Sequence, residues 1–253
     1  MIELTLTSVP GVRVGHWSDA QALTGVTVID LPEPNVAGVE VRGGAPGSRE
    51  TALLAPGKRV EMIQALVFAG GSAFGLAAAD GVVAELARDG RGHETIGGRV
   101  PIVPAAILYD LLVGDANARP GPEHGAAAYR AATADPVEMG SVGAGTGAID
   151  AGWRGRDAVR KGVVGSAAAS FGAATLGALV VANAVGDVFT LGGESLTGGA
   201  PIPASTPTGP GRPLEQTVLV AVVTDAAFGR HEHMHLAVRA HDALAVCFRP
   251  AHT

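Results

Sequence analysis

The sequence predicts a mixed α/β fold. Three observations carry this. An uncharged, mostly β-branched run from Val218 to Thr224 suits a buried strand. Ala73–Arg88 and His233–Phe248 carry helical apolar spacing. Short strand-like runs separated by Gly/Pro turns fill the N-terminal part.

In chain order, Val12–Gly15, Thr24–Leu31 and Val36–Val41 read as strands, with turns at Asn35 and Gly43–Gly47. Val60–Ala69 is mixed in pattern, and Gly70-Gly71-Ser72 introduces the first helix. Val100–Pro104 is too proline-rich for a central strand. Glu123–Ala134 predicts a helix, and Met139–Ile149 a glycine-rich strand or loop. The small-residue run predicts a buried helix over Ser166–Ala174, followed by a strand over Leu176–Asn183. Gly192–Gln216 holds six glycines and five prolines, so it predicts a long loop of the kind that is usually functional or disordered. The final helix is expected to stop at Arg249-Pro250.

Composition bounds the function. The 253 residues suit one domain or two small ones, and 47% apolar content can build a sizeable core. With 37 glycines and 4% aromatics, packing is expected to use small residues and close backbones. The net charge of −6 offers no positive field for nucleic acid. Cys247 is the sole cysteine, which excludes an internal disulfide and fits a reducing, cytoplasmic setting. Met1–Leu4 lacks a basic and apolar leader. Gly162–Gly186 is uncharged, but its Ala, Gly, Ser and Thr content reads as buried protein rather than a membrane span.

Several stretches together resemble a known family. They are Gly11–His16, Val41–Thr51, Gly70–Leu76, Val100–Ala106, Gly140–Gly147, Lys161-Gly162 with Gly165–Ala167, and Val222–Ala226. In this order the chain resembles the self-processing aminopeptidases, which include L-aminopeptidase/D-esterases, β-aminopeptidases and nylon-oligomer hydrolases. The resemblance runs through nearly the whole chain. It implies a four-layer αββα sandwich and a metal-free, cofactor-free N-terminal-nucleophile hydrolase. Substrates would be small peptides, amino acid amides or esters, and the assembly a homo-oligomer, by analogy a tetramer.

The resemblance also implies a site. Family members cut themselves before a Ser or Thr seven residues ahead of the Thr in a Thr-Asp-Ala triplet. Counting back from Thr224 reaches Thr217, so the cut falls at Gln216–Thr217, where members commonly have Asn or Gly before the bond. A large chain 1–216 and a small chain beginning at 217 would result. Thr217 would then hold a hydroxyl beside its own free amine, a nucleophile with a built-in base. Asn183 matches an oxyanion donor, Lys161 a cation near the nucleophile, and Tyr109 a residue lining the site. Read without the resemblance, Asn183 suits a turn, Lys161 a solvated turn, and Tyr109 a core position. Members continue past the equivalent of Thr253 with a short acidic segment that orients the nucleophile, so a catalytically incomplete scaffold is the alternative.

A rival motif lies nearby. His231-Glu232-His233-Met234-His235 formally satisfies H-E-x-x-H, with Glu232 as base and His231 and His235 facing one way on a helix. It sits at a predicted helix start and no Glu follows it, which weakens the zinc peptidase reading. Gly143–Gly147 lacks the spacing of a nucleotide loop.

Overall fold

The computed structural model describes residues 4–200 and 216–251. The glycine- and proline-rich stretch 201–215, within the predicted loop, lies outside the described residues.

The first sheet is built from β1 (Arg13–Asp19), β2 (Thr24–Asp30), β3 (Ser48–Arg49), β4 (Ala65–Ala69) and β5 (Ala105–Ile107). Its strand order is β1-β2-β4-β5-β3, with β4 and β5 parallel and the other pairs antiparallel. All seven residues of β2 are buried, as a strand covered on both faces requires. One face carries Val26, Val28, Val67 and Ile107 against helices α1 (Ala78–Arg88) and α2 (Pro122–Arg130). The other face sends Ile29 and Phe68 into a second cluster with Leu179, Val181, Leu219 and Ala221. Those residues belong to the second sheet.

That second sheet is fully antiparallel: β6 (Val164–Phe171), β7 (Ala174–Val181) and β8 (Leu219–Thr224), with β7 in the middle. Residues of β8 alternate. Leu219 and Ala221 join the intersheet core, while Val220 packs with Leu244 of helix α3 (Arg230–Cys247). The architecture is thus mixed α/β, with two sheets sharing a core and helices packed against each.

The close-packing expectation is met at the α1/α2 contact. A Cβ on Gly81 would lie 1.7 Å from the Pro122 carbonyl oxygen, and one on Gly125 1.9 Å from that of Ala78. Nothing larger than glycine permits this approach. Glu85 of α1, almost fully buried, pairs with Arg130 of α2.

Two expectations are corrected. Ser166–Ala174 is not a helix; it forms most of β6 and turns into β7. Phe171 pairs with Ala174 across Gly172-Ala173, and Gly172 takes φ +62°, a left-handed turn position that glycine fills without strain. Alanine-rich composition favours helix locally, but pairing with β7 overrides it. Val36–Val41 forms no strand: a bond from Ala37 N–H to the Glu61 carbonyl ties it down without a ladder. Met139–Ile149 holds a single 3-10 turn, Gly143–Thr146. Val100 ends a peripheral two-stranded ribbon, and Pro104 immediately precedes β5. Among the described residues, no helix is long and apolar enough to cross a membrane.

Candidate active site

The β7–β8 ladder places the two central groups. Val181 pairs with Leu219, and each step back along β8 advances one step along β7. Asn183 lies two residues past the ladder's end in β7, and Thr217 two residues before its start in β8. Both border a cavity of about 940 Å³, together with Tyr109, Gln216, Ser72 and Phe68. Three predicted site residues and the residue before the predicted cut therefore share one cavity. Thr217 and Tyr109 are half-buried, while Asn183 is 0% exposed.

Asn183 is more than a turn residue. Its Oδ1 accepts the Ile149 N–H at 3.0 Å, which fixes which way the amide faces. Its Nδ2 is buried and makes no hydrogen bond. A buried donor without a partner is costly and uncommon. The Gln216 side chain meets the same residue from the other side: Nε2 reaches the Ile149 carbonyl at 3.5 Å.

Lys161 is exposed in part and does not border the cavity. Its ammonium donates to the carbonyls of Gly145 and Ala148, each at 3.2 Å, and to that of Thr146 at a shorter distance. It faces Ile149 across a two-residue ladder (Ile149-Asp150 with Arg160-Lys161), behind the Asn183 contact. Burial of the ammonium lowers its pKa, opposed by the charges of Asp110 and Asp150.

Those two acids were not among the predicted site residues. Asp110 accepts the Gly71 N–H at 2.7 Å and the Thr24 hydroxyl at 2.8 Å. Burial raises its pKa, against these bonds and Lys161. Asp150 accepts the Ala184 N–H at 2.6 Å. Burial pushes its pKa up to about 6, against that bond and Lys161. The available signal was an isolated acid closing the apolar, glycine-rich run Val142–Ile149.

The Thr224-Asp225-Ala226 triplet, used to locate Thr217, closes the far end of the β7–β8 pair. Thr224 donates its hydroxyl to the Thr175 carbonyl at 2.8 Å, and Asp225 accepts the Thr175 N–H at 2.7 Å. The triplet thus pins the far end of the β7–β8 register.

The H-E-x-x-H residues lie on the first turns of α3. His231 and His235 do face one way, their Nε2 atoms 3.1 Å apart, on the exposed side. Glu232 accepts the Gly229 N–H at 3.0 Å and so caps the helix instead of facing the imidazoles as a base.

Residues 5–253 match Peptidase family S58. An uncharacterized aminopeptidase of Mycobacterium leprae is 40% identical over 278 residues, covering 98% of this chain and 75% of its own. A 6-aminohexanoate-oligomer endohydrolase of Paenarthrobacter ureafaciens is 30% identical over 189 residues, covering 75% of this chain and 50% of its own. Among solved structures, a Burkholderia sp. beta-aminopeptidase superposes with a TM-score of 0.71 at 27% identity, covering 96% of this chain and 67% of that one. An L-aminopeptidase D-Ala-esterase/amidase from Ochrobactrum anthropi, described as a variant of the Ntn hydrolase fold, gives a TM-score of 0.73 at 22% identity, a likeness of fold. The match over nearly the whole chain places it in Peptidase family S58, and the chain is a hydrolase.

Proposed function

We propose that this hydrolase activates itself by cutting the Gln216–Thr217 bond, and that Thr217 then serves as nucleophile and, through its amine, as general base. The observation that carries this reading is the shared cavity wall: Thr217 lines the same cavity as an asparagine whose buried Nδ2 has no partner.

In the first step the Thr217 hydroxyl attacks the Gln216 carbonyl carbon. The C–N bond breaks, the nitrogen takes the proton, and an ester links Gln216 to the Thr217 oxygen. Water hydrolyses that ester, leaving a Gln216 carboxylate and a free Thr217 amine. In turnover the amine takes the hydroxyl proton as the oxygen attacks a substrate carbonyl. Asn183 Nδ2 donates to the oxyanion. Collapse expels the leaving amine, which receives the proton, and water then releases the acyl group. Tyr109 lines the substrate's side of the cavity, and Lys161 contributes positive potential from behind Ile149.

The substrates that fit this chemistry are small peptides, amino acid amides and esters. The mainly aliphatic wall formed by Val36, Val39, Leu54 and Leu66 favours an apolar acyl portion. The reading extends to architecture: the α1/α2 layer, the two sheets and α3 correspond to a four-layer αββα order, assembled as a homo-oligomer by analogy.

Mass spectrometry of purified protein tests the reading. Two chains are expected, one ending at Gln216 and one starting at Thr217, with Thr217→Ala remaining intact and inactive. An uncut wild-type chain that still hydrolyses amides would refute self-activation. An uncut, inactive chain would identify a scaffold.

A further inference from the structure

We propose that Asp150 is a positioning residue for hydrolysis, holding the Asn183-Ala184 peptide so that the Asn183 amide faces the reacting carbonyl. The proposal rests on the reading of Asn183 as oxyanion donor.

The geometry is a short zipper between residues 149–153 and 183–186. Ile149 N–H donates to Asn183 Oδ1 at 3.0 Å. Next, Ala184 N–H donates to Asp150 Oδ1 at 2.6 Å. Then Ala151 N–H donates to the Gly186 carbonyl at 2.9 Å, and Trp153 N–H to that of Val185 at 3.1 Å. Asn183 lies beyond the end of β7, which stops at Val181, so no sheet ladder fixes its backbone. The zipper does that work, and Asp150 is its only side-chain acceptor adjacent to Asn183. A carboxylate forms a shorter, stronger bond to N–H than a carbonyl does. Asp150 is 3% exposed, so water does not compete for that bond. Burying this carboxylate is costly, and its pKa of about 6 reflects that cost. The charge is tolerated beside Lys161, whose ammonium it attracts. Fold stability alone gains little from such a costly placement. A donor that must hold its position to within a fraction of an ångström gains much more.

Asp150→Ala is the test, assayed with an amino acid p-nitroanilide that the wild-type chain hydrolyses, with rates normalised to processed chain by mass spectrometry. The expected result is a fall in kcat of about 10- to 100-fold with KM within about twofold. In an Asn183→Ala background the same change is expected to cost no further rate, because its effect passes through Asn183. Full-rate Asp150→Ala beside a slow Asn183→Ala overturns the proposal alone. So does an equal loss in both backgrounds, or a change confined to KM. Full-rate Asn183→Ala removes the oxyanion reading and this proposal with it. If Asp150→Ala does not fold, Asp150→Asn carries the test: it keeps an acceptor for Ala184 N–H but loses the charge that strengthens the bond, so kcat is expected to fall by about 3- to 10-fold, with no further fall in the Asn183→Ala background. Wild-type kcat for Asp150→Asn, or an equal loss in both backgrounds, overturns the proposal.

Discussion

At Asn183 the amide oxygen is satisfied and the nitrogen is not. That asymmetry is chemically informative, because a structural asparagine at 0% exposure would use both ends. Asn183→Ala is therefore expected to lower kcat by about 100- to 1,000-fold, the usual loss for an oxyanion donor, and to lower stability by about 1–3 kcal/mol, because the Ile149 N–H loses its acceptor. Steady-state kinetics with parallel thermal unfolding checks both halves. Thr217 was singled out in the sequence by its spacing from Thr224 and the resemblance, and it borders the cavity. Asp110 and Asp150 were not, because nothing in their local sequence separates a buried acid from a turn acid. They became visible only when the fold carried them to Lys161.

At the scale of elements, segments with strong periodicity or β-branching were readable: β2, β8, α1 and α3 stand close to their predicted places. Segments made of small residues were not. Ser166–Ala174 has no apolar period to reveal its partner, and its strand state comes from β7 lying alongside. Small residues have a second consequence where α1 crosses α2. Gly125→Ala would drive a methyl group into the Ala78 carbonyl. The expected cost is about 1–3 kcal/mol, from parting the helices. Denaturant unfolding would measure it. A variant as stable as wild type would mean the contact is looser than described. Within the second sheet, Leu179→Ala removes a fully buried side chain from the intersheet core. The expected loss is about 2–5 kcal/mol by the same measurement.

For the whole molecule, the buried acids behind the site make stability depend on pH in an unusual direction. Asp150 has a folded-state pKa of about 6, above the ordinary 3.8. Between those values the folded state holds the proton more tightly than the unfolded state does, so stability falls as pH rises through the window. Above it the cost stays constant. Asp110, also raised, acts in the same direction. Asp150→Asn is therefore expected to raise the unfolding midpoint relative to wild type at about pH 7.5 and to differ little at about pH 3.5. Thermal melts at the two pH values decide it. An equal shift at both would show that the gain is not the removed charge.

The sequence by itself determined the local matters: which runs become the strongest strands and helices, and which threonine lies seven residues before the Thr-Asp-Ala triplet. These follow from side-chain branching, apolar spacing and chain distance, which are properties of neighbours along the chain. Only the tertiary structure decided that Ser166–Ala174 is a strand, that Glu232 caps a helix, and that Ile149-Asp150 joins Lys161 on one side and Asn183-Ala184 on the other. Those outcomes depend on residues tens of positions apart, whose pairing is set by the β7–β8 register and the shared core between the sheets.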